Sequence, residues 1–158
     1  MTTSNEYEES LTPEELEAFK KSKVELDPNS QEFVNDLVDK MLLFTDELSG
    51  HPLHPYQRPF AARIIESMII KDGATITALF SRQSGKTETV ANTIAALMIM
   101  LPRLAKVDPY KQWLDNYKEG VWVGAFAPVD DMAKTLFSRI VSVLTSERAK
   151  EILLDSSI

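Results

Sequence analysis

The chain has 158 residues, 44% of them apolar and 26% charged, a balance that supports a packed core and excludes a disordered or fibrous polymer. It contains no cysteine, which removes disulfide frameworks, thiolate metal sites and cysteine nucleophiles together and fits a reducing cytoplasm. The formal net charge of −7 is unevenly placed: residues 1–50 hold 13 acids against 4 bases and residues 51–158 hold 11 against 13, so only the second part has a charge balance that tolerates a phosphate ligand.

The acidic start, Met1 to Glu6, has no signal-peptide character, and no apolar run approaches the roughly 20 residues that span a bilayer. Residues 1–10 read as a disordered polar tail, followed by an acidic helical segment over 11–50. Thr12-Pro13-Glu14-Glu15 is a helix start, with Thr12 as N-cap, Pro13 at the first helical position and Glu15 closing a capping box, and predicts a short helix to Val24. Asp27-Pro28-Asn29-Ser30 caps a second helix, in which Phe33, Val34, Leu37, Val38, Met41, Leu42 and Leu48 recur at helical spacing before Ser49-Gly50 ends it. No motif assigns this acidic segment a role, and a lid and a partner contact are both open.

Residues 51–158 read as one unit. After the turn His51-Pro52-Leu53-His54-Pro55, a third amphipathic helix is predicted from Pro59 to Lys71. Ala74 to Phe80, rich in β-branched and apolar residues, predicts a buried strand. Lys86 to Leu101 predicts a helix lying against a sheet and stopped by Pro102. Residues 103–120 predict a surface excursion with a helical turn near Trp113, and Val121 to Ala127 predicts a second strand. Asp130-Asp131 then open a helix expected to bury Met132, Leu136, Phe137, Ile140, Val143 and Leu144. Strand, helix, strand, helix in this order predicts an α/β fold, a parallel sheet joined by helical crossovers.

The segment with chemical content is Phe80-Ser81-Arg82-Gln83-Ser84-Gly85-Lys86-Thr87, between the first predicted strand and the helix after it. A phosphate-binding P-loop needs a tight turn whose N–H groups face phosphate oxygens and a helix N-terminus that adds its dipole. It also needs a Lys that reaches the β- and γ-phosphates and a hydroxyl that ligates Mg²⁺. Gly85, Lys86 and Thr87 supply these parts in order. The first glycine of the usual pattern falls on Phe80, so the strict motif is not met, and a strand-to-helix turn with a surface lysine is the plain alternative.

The Ser-Arg-Gln lead-in to Gly-Lys-Thr resembles the variant Walker A loop of the large terminase subunits of tailed phages. Leu53-His54-Pro55-Tyr56-Gln57 is similar to the Tyr-Gln adenine-recognition motif that those motors share with many helicases, and a Gln amide offers the donor and acceptor that an adenine edge needs. Val121 to Pro128, with Asp130, Met132, Ala133, Phe137, Arg139 and Ile140, more diffusely resembles that family's next strand and helix. The likeness covers about residues 53–145 and implies a helicase-like P-loop NTPase domain binding ATP and Mg²⁺. In it Tyr56 and Gln57 read adenine, Ser81 belongs to the nucleotide-binding loop, the backbone from Gln83 through Ser84 and Gly85 to Lys86 wraps the phosphates, Lys86 neutralises their charge and Thr87 holds the metal. Arg82 senses or stabilises the γ-phosphate, a task that suits a fixed cationic fork. The implied partners are double-stranded DNA, a small terminase subunit and a portal, with homo-oligomerisation at full length in the host cytoplasm.

A hydrolytic site of this kind needs a Walker B aspartate at a strand end, and none is found. Asp130 and Asp131 sit beyond Pro128 and suit a helix start, and Asp155 stands alone after Ile152-Leu153-Leu154. With two predicted strands, no coupling motif and no carboxylate-rich nuclease domain, the chain reads as a motor truncated before Walker B. The other readings are a helicase-like translocase and a non-catalytic nucleotide-binding fragment. His51 and His54 read as turn residues. Tyr110, Lys111, Trp113, Tyr117 and Lys118 interleave aromatics with bases as single-strand binders do, or form a packed amphipathic turn.

Overall fold

The computed structural model describes Pro13, residues 26–81 and residues 83–154. The expected tail over 1–10, the helix from Thr12 to Val24 apart from Pro13, Asp155 and Arg82 lie outside the described residues.

Helix α1, Pro28–Ser49, starts where the sequence provides a cap: the Asp27 carboxylate accepts from the backbone N–H groups of Asn29 and Ser30, and Pro28 occupies the first turn. It stops at Gly50, whose left-handed φ of 70° lets its N–H reach the carbonyls of Asp46 and Glu47. Helix α2, Arg58–Ile70, begins without a side-chain cap, because the Gln57 amide that stands there is engaged elsewhere. Asp46 joins the two helices, accepting from Leu53 N–H at 2.7 Å and pairing with Arg58 at 2.6 Å. The turn between α1 and α2 is thereby held at one end of the helix pair.

Helix α3, Lys86–Leu104, is the axis of the molecule and packs against α1, α2 and α5 (Asp130–Leu144). Its buried Ala91, Ala95 and Ala96 let neighbouring helices approach closely, while Leu97, Ile99 and Leu101 fill the space between them. The main core joins Val34, Leu37, Met41 and Leu42 of α1 to Ala61, Ile65 and Ile69 of α2 and to Leu97 and Leu101 of α3. Each fully buried Leu or Ile there contributes about 1.5–3 kcal/mol. A second cluster joins Leu48, Ala95, Ala96 and Ile99 to Ala149 of α6, Glu147–Leu154. Pro102 does not stop α3: the helix continues to Leu104 and Ala105 N–H bonds the Leu101 carbonyl. So close to the end, the missing proline N–H interrupts only the final turn.

The excursion after α3 contains the expected helical turn, α4 at Lys111–Leu114, followed by a 3₁₀ turn at Asp115–Tyr117. Its aromatics face the protein. Tyr110 and Trp113 each lie 5.7 Å from the Phe33 ring, and the Tyr117 hydroxyl donates to the Met68 carbonyl at 2.7 Å. This is the packed amphipathic turn rather than a row of rings open to single-stranded nucleic acid.

The predicted α/β fold with its parallel sheet is corrected: the described residues form helices and turns and contain no strand. From Ala74 to Phe80 side chains alternate between half-buried and exposed, the period of extended chain, yet neither this segment nor Val121 to Ala127 pairs with another. β-branched composition favours extended backbone, but a strand persists only where a neighbour meets its N–H and C=O groups. Helix-on-helix packing supplies the core in place of the sheet, so α3 lies on helices. On α5 only Ile140 is buried, and Met132 and Phe137, expected to face inward, are 65% and 64% exposed because no sheet lies beneath them.

Residues 72–81 lead from α2 to the loop, and their start is anchored. Asp72 accepts from Arg63 at 2.5 Å, from the Ser67 hydroxyl at 2.5 Å and from Ala74 N–H at 3.0 Å. Burial works against its charge, but the hydrogen bonds from Ser67 and Arg63 outweigh it and hold the carboxyl below the ordinary range.

Candidate functional site

The loop and the start of α3 are fastened to the α1–α2 turn through one carbonyl. Ser84 C=O accepts from the Tyr56 hydroxyl and from Gln57 Nε2, each at 3.0 Å, while Gln57 Oε1 accepts from His54 N–H at 2.9 Å. Gln57 is 6% exposed, so these bonds are sheltered from competing water. Tyr56 stands between His54, whose ring is stacked on it at 5.5 Å, and Phe80, edge-on at 6.3 Å. Phe80, where the P-loop pattern has glycine, packs by its ring on Tyr56 and Phe60. The Tyr-Gln pair thus spends polar groups on holding the loop, a role that the reading of an adenine edge did not include.

The loop itself is bent by two left-handed residues, Gln83 with φ of 60° and Gly85 with φ of 71°. For glycine this is unstrained, whereas for Gln83 it stores about 1 kcal/mol. Gly85 is required twice, since a Cβ there would also lie 2.8 Å from Gln57 Nε2. The Ser84 hydroxyl closes the bend by donating to the Ser81 carbonyl at 2.8 Å. From Gly85 the chain turns directly into α3, whose first intrahelical bond is Thr89 N–H to Gly85 C=O, so the N–H groups ahead of Thr89 have no helical acceptor. Backbone N–H groups left without acceptors at the start of a helix face outward and favour an anion.

Two hollows flank that terminus. One, of about 390 Å³, is lined by Phe80, Ser81, Lys86, Thr87, Glu88 and Arg139. The other, of about 250 Å³, lies between His51, His54, Tyr56 and Gln57 on one side and Glu88, Thr89 and Asn92 on the other. Gln83, Ser84 and Gly85 line both. Of the residues expected at the site, Ser81, Gln83, Ser84, Gly85, Lys86 and Thr87 come together at the first hollow and Tyr56 and Gln57 at the second, and Arg82 lies outside the described residues. Lys86 is exposed and has no ion-pair partner among the described residues. His51 and His54 are exposed turn residues, and no group of three or more His, Asp or Glu suited to a metal ion occurs among the described residues.

Four further residues belong to the site. Glu88, in the first turn of α3, pairs with Arg139 of α5 across the first hollow. Thr89 is buried and donates its hydroxyl to the Gly85 carbonyl at 3.0 Å, fixing the loop-to-helix junction. Asn92 is 4% exposed, and its Oδ1 has no hydrogen-bond partner among the described residues. Glu88 and Asn92 follow Gly85 at helical spacing, so their place beside the loop was available from periodicity. Arg139, 51 residues from Glu88, carried no local signal.

Among the described residues no helix is long and apolar enough to cross a membrane. No family model, curated protein or solved structure matches the chain.

Proposed function

We propose that the chain binds ATP with Mg²⁺, the phosphates lying on the backbone of residues 83–86 against Lys86 and the metal on the Thr87 hydroxyl. The observation that carries this reading is Lys86, without an ion-pair partner among the described residues, at the open N-terminus of a 19-residue helix, behind a loop bent by Gln83 and Gly85. Helix dipole, free N–H groups and a nearby cation act in the same direction on an anion. With the likeness of Ser81–Thr87 and Tyr56-Gln57 to large terminase subunits, the setting we propose is the ATP-binding part of a cytoplasmic phage DNA-packaging motor. Such a motor couples ATP hydrolysis to translocation of double-stranded DNA, alongside a small subunit and a portal.

The chain's own share in that work is binding. Glu88 is the one carboxylate lining the phosphate-side hollow among the described residues, and it is paired with Arg139. This favours a nucleotide-binding chain over one that activates water unaided. Calorimetric titration with Mg-ATP tests the assignment. The chain binds and Lys86→Ala weakens binding by at least tenfold, as expected for loss of a charge-assisted contact of about 1.5–3 kcal/mol. Equal affinities in the two proteins would overturn it.

A further inference from the structure

The hollow between the α1–α2 turn and α3 contains a buried acceptor that the fold does not satisfy. Asn92 lies about 9 Å beyond Lys86 along α3. It lines that hollow, is 4% exposed, and its Oδ1 accepts no hydrogen bond among the described residues. Burying a carbonyl without a donor is costly, and native chains keep few such groups. The other polar side chains around it are engaged in holding the loop. Gln57 Nε2 donates to the Ser84 carbonyl and its Oε1 accepts from His54 N–H, the Tyr56 hydroxyl donates to the same Ser84 carbonyl, and the Thr89 hydroxyl donates to Gly85 C=O. None of these bonds involves Asn92.

We infer that Asn92 is a specificity-determining residue that accepts a hydrogen bond from a ribose hydroxyl, and that it makes the site prefer ribonucleotides to deoxyribonucleotides. The inference rests on the nucleotide reading above and adds the sugar to it. Gln83, Ser84 and Gly85 line both hollows. A nucleotide whose phosphates lie on these residues therefore enters the second hollow with the group bonded to its phosphates, which is the ribose. That hollow, about 250 Å³, is smaller than the roughly 300 Å³ at which sites for whole drug-sized ligands begin, so it suits a sugar rather than a sugar with its purine. Ribose hydroxyls are O–H donors, and the broad terminal torsion of asparagine lets the carboxamide turn Oδ1 towards one of them. A nucleotide lacking that hydroxyl leaves Oδ1 without a donor.

The experiment is calorimetric titration of the whole chain with the Mg complexes of ATP, 2′-deoxy-ATP, 3′-deoxy-ATP and inosine triphosphate, and with tripolyphosphate, in the parent, Asn92→Leu and Asn92→Asp. The parent is expected to bind ATP about fivefold or more tighter than one of the two deoxy forms, the effect of one hydrogen bond to a buried acceptor. In Asn92→Leu that preference falls to within about twofold, while tripolyphosphate affinity and melting temperature are not lowered. A merely structural asparagine would instead lower the melting temperature and leave the ratio of ATP to deoxy-ATP unchanged. Asn92→Asp keeps the acceptor and so retains the preference, although its charge weakens all the polyanions alike. If Asn92→Leu does not fold, Asn92→Ala carries the same expectation. Equal binding of ATP and both deoxy forms by the parent, or a preference that survives in Asn92→Leu, would overturn the inference while leaving nucleotide binding intact. So would discrimination against inosine triphosphate, in place of the deoxy forms, that disappears in Asn92→Leu, because Oδ1 would then face the base. Failure of the parent to bind both Mg-ATP and tripolyphosphate would remove the nucleotide reading itself, and this inference with it.

Discussion

The tightest joint in the site is that between Gly85 and Gln57, and Gly85→Ala perturbs it in two separable ways. A left-handed φ of 71° costs a non-glycine residue about 1 kcal/mol. The new Cβ also arrives 2.8 Å from Gln57 Nε2, a side chain too buried to withdraw into solvent. Displacing that amide strains its bonds to the Ser84 carbonyl and to His54 N–H, about 1–2 kcal/mol more for a buried polar group losing partners. Gly85→Ala is therefore expected to destabilise the chain by about 2–3 kcal/mol in urea denaturation followed by circular dichroism. With Gln57→Ala already present, the clash disappears and the same substitution costs only the backbone part, about 1 kcal/mol. The double-mutant cycle thus shows a coupling of about 1–2 kcal/mol. Equal costs in the two backgrounds would refute the interlocking of the loop and the Tyr-Gln turn.

Gln83→Gly relieves the strained φ but adds freedom to the unfolded chain, so the melting midpoint moves little, whereas Gln83→Val is expected to lose about 1–2 kcal/mol at the same position. The carboxyl of Asp72 titrates below its unfolded value near 3.9, so its contribution is complete above that pH and is lost as acid carries the solution down through the folded value. A pH series of melts therefore falls more steeply below about pH 4 in the parent than in Asp72→Asn, and parallel curves would contradict this. Asn92→Leu removes a buried acceptor that has no donor and is expected to raise stability by about 1 kcal/mol, a shift of a few degrees in melting temperature. A loss of similar size would mean that Oδ1 has a partner in solution.

Where helix ends carry explicit chemistry, the sequence is a reliable guide. Asp27-Pro28 and Gly50 bound α1 as their side-chain and φ preferences require, and the break before Lys86 places the start of α3. The loop was legible for the same reason: Gly85 marks a left-handed turn, and Lys86 and Thr87 follow it into a helix. The sheet was misread because Ala74 to Phe80 and Val121 to Ala127 encode extended backbone, while pairing depends on which segments meet, a property no local window holds. The inward face assigned to α5 failed with it, since Met132 and Phe137 were placed against a sheet that is not there. Tyr56 and Gln57 stand out in the sequence, but their bonds to Ser84, 28 and 27 residues away, needed the fold. The Glu88–Arg139 pair was invisible for the same reason. Arg139 is one surface base among several until α5 is laid beside the first turn of α3.

Nucleotide phosphates are proposed to bind at the start of α3. The most direct measurement is an NMR titration of the whole chain with Mg-ATP, following the backbone amides of residues 83–92. Shifts are expected to concentrate on Ser84, Gly85, Lys86 and Thr87, to saturate with the calorimetric affinity and to be lost in Lys86→Ala. Shifts that leave these amides in place, or that persist unchanged in Lys86→Ala, would contradict it.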